Sequence, residues 1–334
     1  MKVIIPLAGF GTRMRPYTWS RAKALLHVAS NTVIGHLLNL MSDITTEEVV
    51  FVVGYKGDQI EAWIRAHYSH LDSHFVIQED QLGQAHALWL CRDFMDEGEV
   101  VIAFGDGIVQ AHYTDLPDPE ADVVMLVQSV ENPRKFGVVA ADENGYVTEL
   151  IEKPNHDRYK QAIAGIHWFK DGRLLRHALD TVIHEDRRTK GEYYLADAYQ
   201  VLLEDGRKVR TADTIFWLDA GNPENILETN ERLLGLGYGT EDAIDRSYAE
   251  DFTVIPPVFL HDEAEIYSCV IGPYVSIGPG AKVKNCIIKN SIIDTGAQLE
   301  DCILDGALIG ENTKVTGKRK SLFLGDNSII EIGD

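Results

Sequence analysis

The segment Leu7-Ala8-Gly9-Phe10-Gly11-Thr12-Arg13-Met14-Arg15-Pro16 carries the residue types needed to hold a polyphosphate. Glycines let backbone N–H groups turn inward and approach phosphate oxygens closely, and Arg13 adds a fixed, forked cation. The loop matches neither the GxGxxG dinucleotide fingerprint nor the GxxxxGK[ST] phosphate loop. An ordinary strand-to-helix turn with solvated arginines is the competing reading of the glycines alone. Local clustering weighs against it, since Arg13, Arg15, Arg21 and Lys23 fall within eleven positions of an otherwise acidic chain. Two aspartates have comparable settings. Asp106 lies in GDG and Asp219 in WLDAG, so each can present a carboxylate where a strand ends, or simply cap a turn. Gln78 offers a donor and an acceptor that suit the Watson–Crick edge of a pyrimidine, and Gly83 leaves room for a base beside the backbone.

These residues need a scaffold that brings loops together. Short apolar runs at 3–5, 49–53, 75–77, 100–104 and 123–127 read as buried strands, with helical periodicity over 33–41 and 58–68 between them. That rhythm predicts a Rossmann-like α/β domain, a mostly parallel sheet with helices on both faces and ligands at the strands' carboxyl ends. The character changes near residue 235. A glycine-rich, acidic stretch at 236–252 reads as a linker or connecting helix, so the expected division is a catalytic domain at 1–235 and a second domain at 253–334. In the second, aliphatic residues recur every five or six positions (Ile271, Ile277, Val283, Ile288, Ile293, Leu299, Leu304, Ile309, Val315), the pattern of a left-handed parallel β-helix of hexapeptide repeats. Cys269, Cys286 and Cys302 then sit one coil apart as stacked small residues, which is favoured over metal binding or redox chemistry.

The chain has 31 Lys plus Arg against 52 Asp plus Glu, a formal charge of −21, which disfavours nucleic acid and anionic membranes as partners. No apolar run approaches a membrane span and the N-terminus is a poor secretory signal, so a cytoplasmic protein is expected. His67, His70 and His74 would share a face if 58–75 were one helix, a spacing able to bind zinc, although a solvated helix end is favoured. TGKRKS at 316–321 is the basic run of the β-helix and reads as a projecting loop.

AGFGTRMRPYT followed by Lys23 resembles the signature of the sugar-1-phosphate nucleotidyltransferase family, and the resemblance spans nearly the whole chain. It continues in QEDQLGQAHAL (78–88), FGDG (104–107), FGVVAADENGYVTELIEKP (136–154), AGI (164–166), EYYLADA (192–198) and WLDAGNPENILETN (217–230). The resemblance implies attack of a sugar-1-phosphate oxygen on the α-phosphorus of a nucleoside triphosphate, with pyrophosphate released. It implies Mg²⁺ held by Asp106 and Asp219, and catalytic roles for Arg13, Lys23 and Lys153. Nucleotide contacts fall to Leu7, Gly9, Gly11, Thr12, Arg13, Gln78, Gly83 and Asp106, and sugar contacts to Gly137, Glu152, Lys153 and Gly165. Long members of the family carry a similar C-terminal β-helix, through which a homo-oligomer is expected.

The departures bear on substrate. The first loop is AGFG where many thymidylyltransferases have AGGxG, and in this it is similar to bacterial glucose-1-phosphate uridylyltransferases. Ala22-Lys23-Ala24 replaces the usual PKP, dropping two conformational restraints while keeping the charge. Ile163 stands where acetylglucosamine-specific enzymes have asparagine, and WLDAG resembles glucose-1-phosphate thymidylyltransferases, so glucose is favoured with dTTP or UTP. N-acetylglucosamine 1-phosphate with UTP, or a non-catalytic sugar-nucleotide sensor, are the alternatives. An acyltransferase site in the β-helix is disfavoured because no histidine follows His261 to serve as base. Trp217 is expected in the core, outside the site.

Overall fold

The computed structural model describes residues 1–44, 48–249 and 251–318. The chain divides into two compact units, Met1–Thr229 and Asn230–Asp334.

The first unit is built on a nine-stranded sheet. Its strands are β1 (Lys2–Pro6), β2 (Glu48–Val53), β3 (Ser73–Ile77), β4 (Val100–Ala103), β5 (Val123–Ser129), β6 (Gly137–Ala141), β7 (Val147–Glu152), β8 (Gln161–Phe169) and β9 (Val209–Asp213). The main path runs β7-β6-β8-β4-β1-β2-β3, while β5 pairs with both β8 and β9. Strands β7 and β8 run against the others, which share one direction. The five apolar runs read as strands are strands, and the sheet is mostly parallel as expected.

Alternation along the strands sorts side chains into two layers. Ile4, Val50, Val52, Val100 and Ile102 pack with residues of α3 (Gln84–Leu90), α4 (Gly172–His184) and α5 (Leu195–Glu204). Val3, Ile5, Phe51, Val101 and Ala103 pack with α1 (Val33–Leu40) and α2 (Gly57–His67). The chain leaves β1 for β2 and β3 on one side and returns to β4 on the other. Beyond the carboxyl ends of β1 and β4 the order therefore reverses, which opens a crevice between the loops at 7–16 and 104–107.

The three histidines do not share a helix face. Helix α2 ends at His67, whose Nδ1 lies 2.9 Å from the Trp63 carbonyl oxygen, and His74 belongs to β3 with Nε2 2.9 Å from Glu48 Oε1. Leu71, Asp72 and the start of β3 end the helical pattern, so the zinc geometry is lost. No cluster of three or more potential metal-ligating His, Cys, Asp or Glu side chains occurs among the described residues.

In the second unit three parallel four-stranded sheets stack coil on coil, in keeping with the left-handed β-helix. They comprise Phe252–Val254, Cys269–Ile271, Ile287–Lys289 and Ile303–Asp305; Val258–Leu260, Val275–Ile277, Ile292–Ile293 and Leu308–Ile309; and Glu265–Tyr267, Lys282–Lys284, Gln298–Glu300 and Lys314–Thr316. Inward aliphatics form ladders, and the buried, unpaired thiols of Cys269, Cys286 and Cys302 stack at one corner, with the Cys286 N–H donating to Cys269 Sγ at 3.3 Å. The stretch at 236–252 contains helix Ala243–Ala249, and Arg246 donates to the carbonyls of His261 and Ala264, both at 3.1 Å. Residues 319–321 of the basic run lie outside the described residues; Thr316 ends a strand.

Ile288 is fully buried between Ile271 and Leu304 in successive coils. Ile288→Ala removes contacts on both sides and leaves a cavity that stacked coils cannot close. The expected loss is about 2–5 kcal/mol in urea unfolding; a loss under about 1 kcal/mol would contradict this packing.

Candidate active site

After β1 the backbone of Leu7 still donates to the Val52 carbonyl at 2.7 Å, and the buried Leu7 side chain packs directly on the backbone of Gly105. Gly11 adopts the left-handed conformation at φ +61°, and its carbonyl accepts from the Met14 N–H and from Thr18 Oγ1 at 2.9 Å each. This closes a short 3₁₀ turn, Thr12–Met14, anchored by the fully buried Met14 and presenting Arg13 to the cleft. Gly9 has open space around it. These are the features of a loop whose backbone is accessible to a ligand.

Lys23 begins a second 3₁₀ turn, Lys23–Leu25. The restraint that prolines would have supplied comes from Gln59, which accepts from the Ala22 N–H at 3.0 Å and donates to the Ser20 carbonyl at 2.9 Å. Lys23 is thereby held, its side chain only 14% exposed, with Nζ 3.2 Å from Asp106 Oδ2. The ammonium draws the Asp106 carboxyl below its ordinary range; burial opposes this and Arg13 assists.

Asp219 arrives through a small antiparallel ribbon in which Phe216–Asp219 pairs with Gly107–Gln110, and its register partner is Gly107. The ribbon sets the two aspartates side by side although 113 positions separate them in sequence. Asn225 Nδ2 donates to Asp219 Oδ2 at 2.5 Å, and Thr229 Oγ1 donates to the Asp219 carbonyl at 3.0 Å. Burial, then the charge of Asp106, raises the Asp219 carboxyl above its ordinary range. Two adjoining carboxylates, one disfavoured in its charged form, make a hard-oxygen donor set suited to a divalent cation that also binds phosphate oxygens and water.

A second cluster forms where β7 pairs with β6. Glu152 is the register partner of Gly137, and a Cβ on Gly137 would sit 2.9 Å from Glu152 Oε2. Burial raises the Glu152 carboxyl, against the pull of Lys153, whose Nζ lies 3.6 Å from Glu152 Oε1 and 5.7 Å from the centre of the Tyr194 ring. Lys153 itself has φ +47°, with its N–H on the Phe136 carbonyl at 3.0 Å. Gly165, at φ +78°, lies where the pairing of β8 with β5 breaks between Ile163 and His167; its carbonyl accepts from the Phe104 N–H at 2.9 Å.

One cleft of about 770 Å³ joins both clusters. Arg13, Asp106, Asp219, Gly137, Glu152, Lys153 and Gly165 line it, and Lys23 reaches it through Asp106. Leu7, Gly9, Gly11 and Thr12 lie in the loop behind Arg13. Gln78 and Gly83 are placed differently. The Gln78 side chain is buried, its Nε2 3.2 Å from the Gly83 carbonyl and 3.1 Å from His86 Nδ1. A Cβ on Gly83 would meet the Tyr193 backbone at 2.5 Å, so chain packing by itself requires glycine there.

Trp217 packs half-buried against the core, as expected, and also lines the cleft, meeting Phe136 edge-on at 5.0 Å between centroids. The signal was present, because residues 217 and 219 of one strand share a face. His167, Tyr199 and Asn225 also line the cleft and were not singled out; nothing in their local sequence distinguishes them from core or capping residues.

An α/β domain with a glycine-turn loop, a lysine-paired aspartate and a second acidic–basic cluster in one crevice defines a class: enzymes that position and neutralise phosphates. Residues 2–235 match the Nucleotidyl transferase family model, and the chain belongs to that family. It is 29% identical over 99% of its length to the whole of the low-salt glycan biosynthesis nucleotidyltransferase Agl11 of Haloferax volcanii. It is 30% identical to a glucose-1-phosphate thymidylyltransferase of Streptomyces griseus, with 99% of each chain covered. A solved structure of a glucose-1-phosphate thymidylyltransferase from Bacillus anthracis, described there as putative, superposes with a TM-score of 0.58 at 25% identity, over 69% of this chain and 94% of that one. Enzymes of the family generally use a divalent metal. No described helix is long and apolar enough to cross a membrane.

Proposed function

We propose that this enzyme joins a nucleoside triphosphate, dTTP or UTP, to glucose 1-phosphate, giving the nucleotide sugar and pyrophosphate. The observation that carries the reading is the single cleft in which Arg13, Asp106 and Asp219 face the Gly137, Glu152, Lys153 and Gly165 cluster. A phosphate monoester with a second pKa near about 6 is already largely ionised at neutral pH and needs no general base. Its oxygen attacks the α-phosphorus, and the bond to pyrophosphate breaks. The protein's part is to align the two substrates and neutralise charge.

In this reading Arg13 holds the leaving phosphates, Lys23 the phosphates at the reacting centre, and Lys153 the sugar phosphate. Glu152 accepts from sugar hydroxyls, while Gly137 and Gly165 let the ring approach the backbone. Leu7, Gly9, Gly11 and Thr12 provide the backbone cradle for the nucleotide. Gln78 and Gly83 are kept as its base edge, with Gln78 exchanging its present partners for the base. Asp106 and Asp219 would hold Mg²⁺, which when bound supplies positive charge against the phosphate oxygens. Ile163, in the cleft wall, supports glucose over N-acetylglucosamine. Both substrates are soluble metabolites, in keeping with a cytoplasmic enzyme. A homo-oligomer is supported by an outward apolar ladder on one β-helix face, Val270, Ile287 and Ile303, the last 81% exposed.

The test is pyrophosphate release with Mg²⁺ across dTTP, UTP, CTP, GTP and ATP against the 1-phosphates of glucose, N-acetylglucosamine, mannose and galactose. The strongest signal is expected for glucose 1-phosphate with dTTP or UTP. A dominant signal for another sugar would overturn the substrate, and no turnover at all would overturn the reaction.

A further inference from the structure

A buried polar pair in the cleft is used by none of the roles above. His167, two residues beyond Gly165, is 1% exposed, and Tyr199 is 2% exposed; both line the cleft. The Tyr199 hydroxyl lies 2.7 Å from His167 Nδ1, and the Phe104 ring stands edge-on to the imidazole at 6.1 Å. Neither residue makes another side-chain hydrogen bond to a described residue.

The tautomer follows from this inventory. Burial raises the phenol well above its ordinary pKa, so the hydroxyl keeps its proton. Burial pushes His167 down to about 3, so the ring is neutral at working pH. If Nδ1 carried the imidazole proton, the phenol proton would find no acceptor among the described residues. The phenol therefore donates to Nδ1, and the ring's N–H is on Nε2. Nδ1 being taken, Nε2–H is the polar group left for a ligand. The break in strand pairing between Ile163 and His167 is what re-aims this stretch of β8.

We infer that His167 is a specificity-determining residue whose Nε2–H donates to one hydroxyl oxygen of the sugar 1-phosphate, with Tyr199 as the positioning residue that fixes its tautomer. The inference rests on the sugar-1-phosphate reading and adds a neutral donor opposite in character to Glu152, which can only accept when ionised. Together the two groups require a hydroxyl that accepts at one place and one that donates at another.

The experiment compares kcat/KM for the sugar 1-phosphate the enzyme turns over with its 2-, 3-, 4- and 6-deoxy analogues. In the wild type, deletion of one hydroxyl is expected to cost about 10- to 100-fold through His167, beyond any position read by Glu152, because it strands a buried donor. In His167→Ala that same penalty falls below about 3-fold, while the KM for the nucleoside triphosphate is unchanged. Tyr199→Phe keeps the packing and decides the matter should His167→Ala not fold: the penalty shrinks, and ¹⁵N shifts of His167 change from a single Nε2–H tautomer to a mixture. Unchanged penalties at every position in an active variant, or an Nδ1–H tautomer in the wild type, would overturn the inference alone. A wild type that turns over no sugar 1-phosphate overturns the function reading and this inference with it.

Discussion

Asp219→Asn is expected to lower kcat by about a thousand-fold or more, equivalent to about 4 kcal/mol of transition-state stabilisation, while the metal-free protein melts at the same temperature as the wild type or higher. The two halves of that result have one cause. Asp219 is held above its ordinary pKa by burial and by the neighbouring Asp106 charge. A carboxyl raised in the folded state contributes stability that is present below its unfolded pKa and is lost as pH rises through the folded one. At neutral pH the folded protein therefore carries an ionised group it would be more stable without. Asparagine removes that cost and keeps an oxygen to accept from Asn225; the Thr229 contact, made to the main chain, is untouched. What asparagine cannot do is supply an anionic oxygen to a divalent cation. Mg²⁺ is accordingly expected to raise the melting temperature of the wild type at neutral pH and to do so less as pH falls into the carboxylate range, with little effect in the variant. Differential scanning fluorimetry with and without Mg²⁺, beside steady-state turnover, checks both halves. Full activity in Asp219→Asn would break the assignment of the pair.

Lys23→Met is expected to reduce kcat by about 100-fold, the scale of a lost preorganised charge at a reacting centre, while the Mg²⁺ concentration for half-maximal activity stays the same or falls. In the proposed reading Lys23 and the metal share the Asp106 carboxylate. Lys23 Nζ sits 3.2 Å from Asp106 Oδ2 and draws that carboxyl below its ordinary range. On that reading, removing the ammonium would leave Asp106 easier for a metal to hold but take a fixed positive group from the phosphates. The linkage sign is opposite to that of Asp219. A depressed carboxyl contributes stability present above its unfolded pKa and lost as pH falls through the folded one, so the variant should lose less stability on acidification than the wild type. The effect is modest, since the Asp106 side chain is 59% exposed and solvent screens the pair. Methionine keeps an unbranched stem of similar length, with the same Cβ beside Gly11. A variant with undiminished kcat but a raised Mg²⁺ requirement would mean that Lys23 only orders Asp106.

How far these residues could be foreseen differs from one to the next. Strand periodicity and the AGFG turn pointed to Arg13 because its loop follows β1 directly, where chain connectivity alone dictates proximity to the sheet edge; Lys23 lies two short turns further on. The hexapeptide ladder was legible for the same reason: a six-residue period fixes which residue points inward, and Ile271, Ile288 and Leu304 do stack. Trp217 was read as core and does pack there, but an aromatic residue fits a core and a cleft wall equally well by type, and that it also lines the cleft depends on the ribbon with Gly107–Gln110. Gly83 was read as room for a base; the structure adds a second reason for glycine there, since a Cβ would meet the backbone of Tyr193, 110 positions later.

The sequence by itself determined the two kinds of architecture, the glycine turn after the first strand and the list of charged residues, since periodicity, turn chemistry and short-range spacing are local properties of a chain. The tertiary structure decided which of those residues meet. Asp106 and Asp219 become neighbours through a two-stranded ribbon, Lys23 is held by Gln59 from α2 where prolines were missing, and His167 finds Tyr199 on a separate helix. Those pairings are long-range, and burial is what turns them into chemistry. It raises the Asp219 and Glu152 carboxyls and keeps the His167 imidazole neutral, and burial belongs to the folded chain alone.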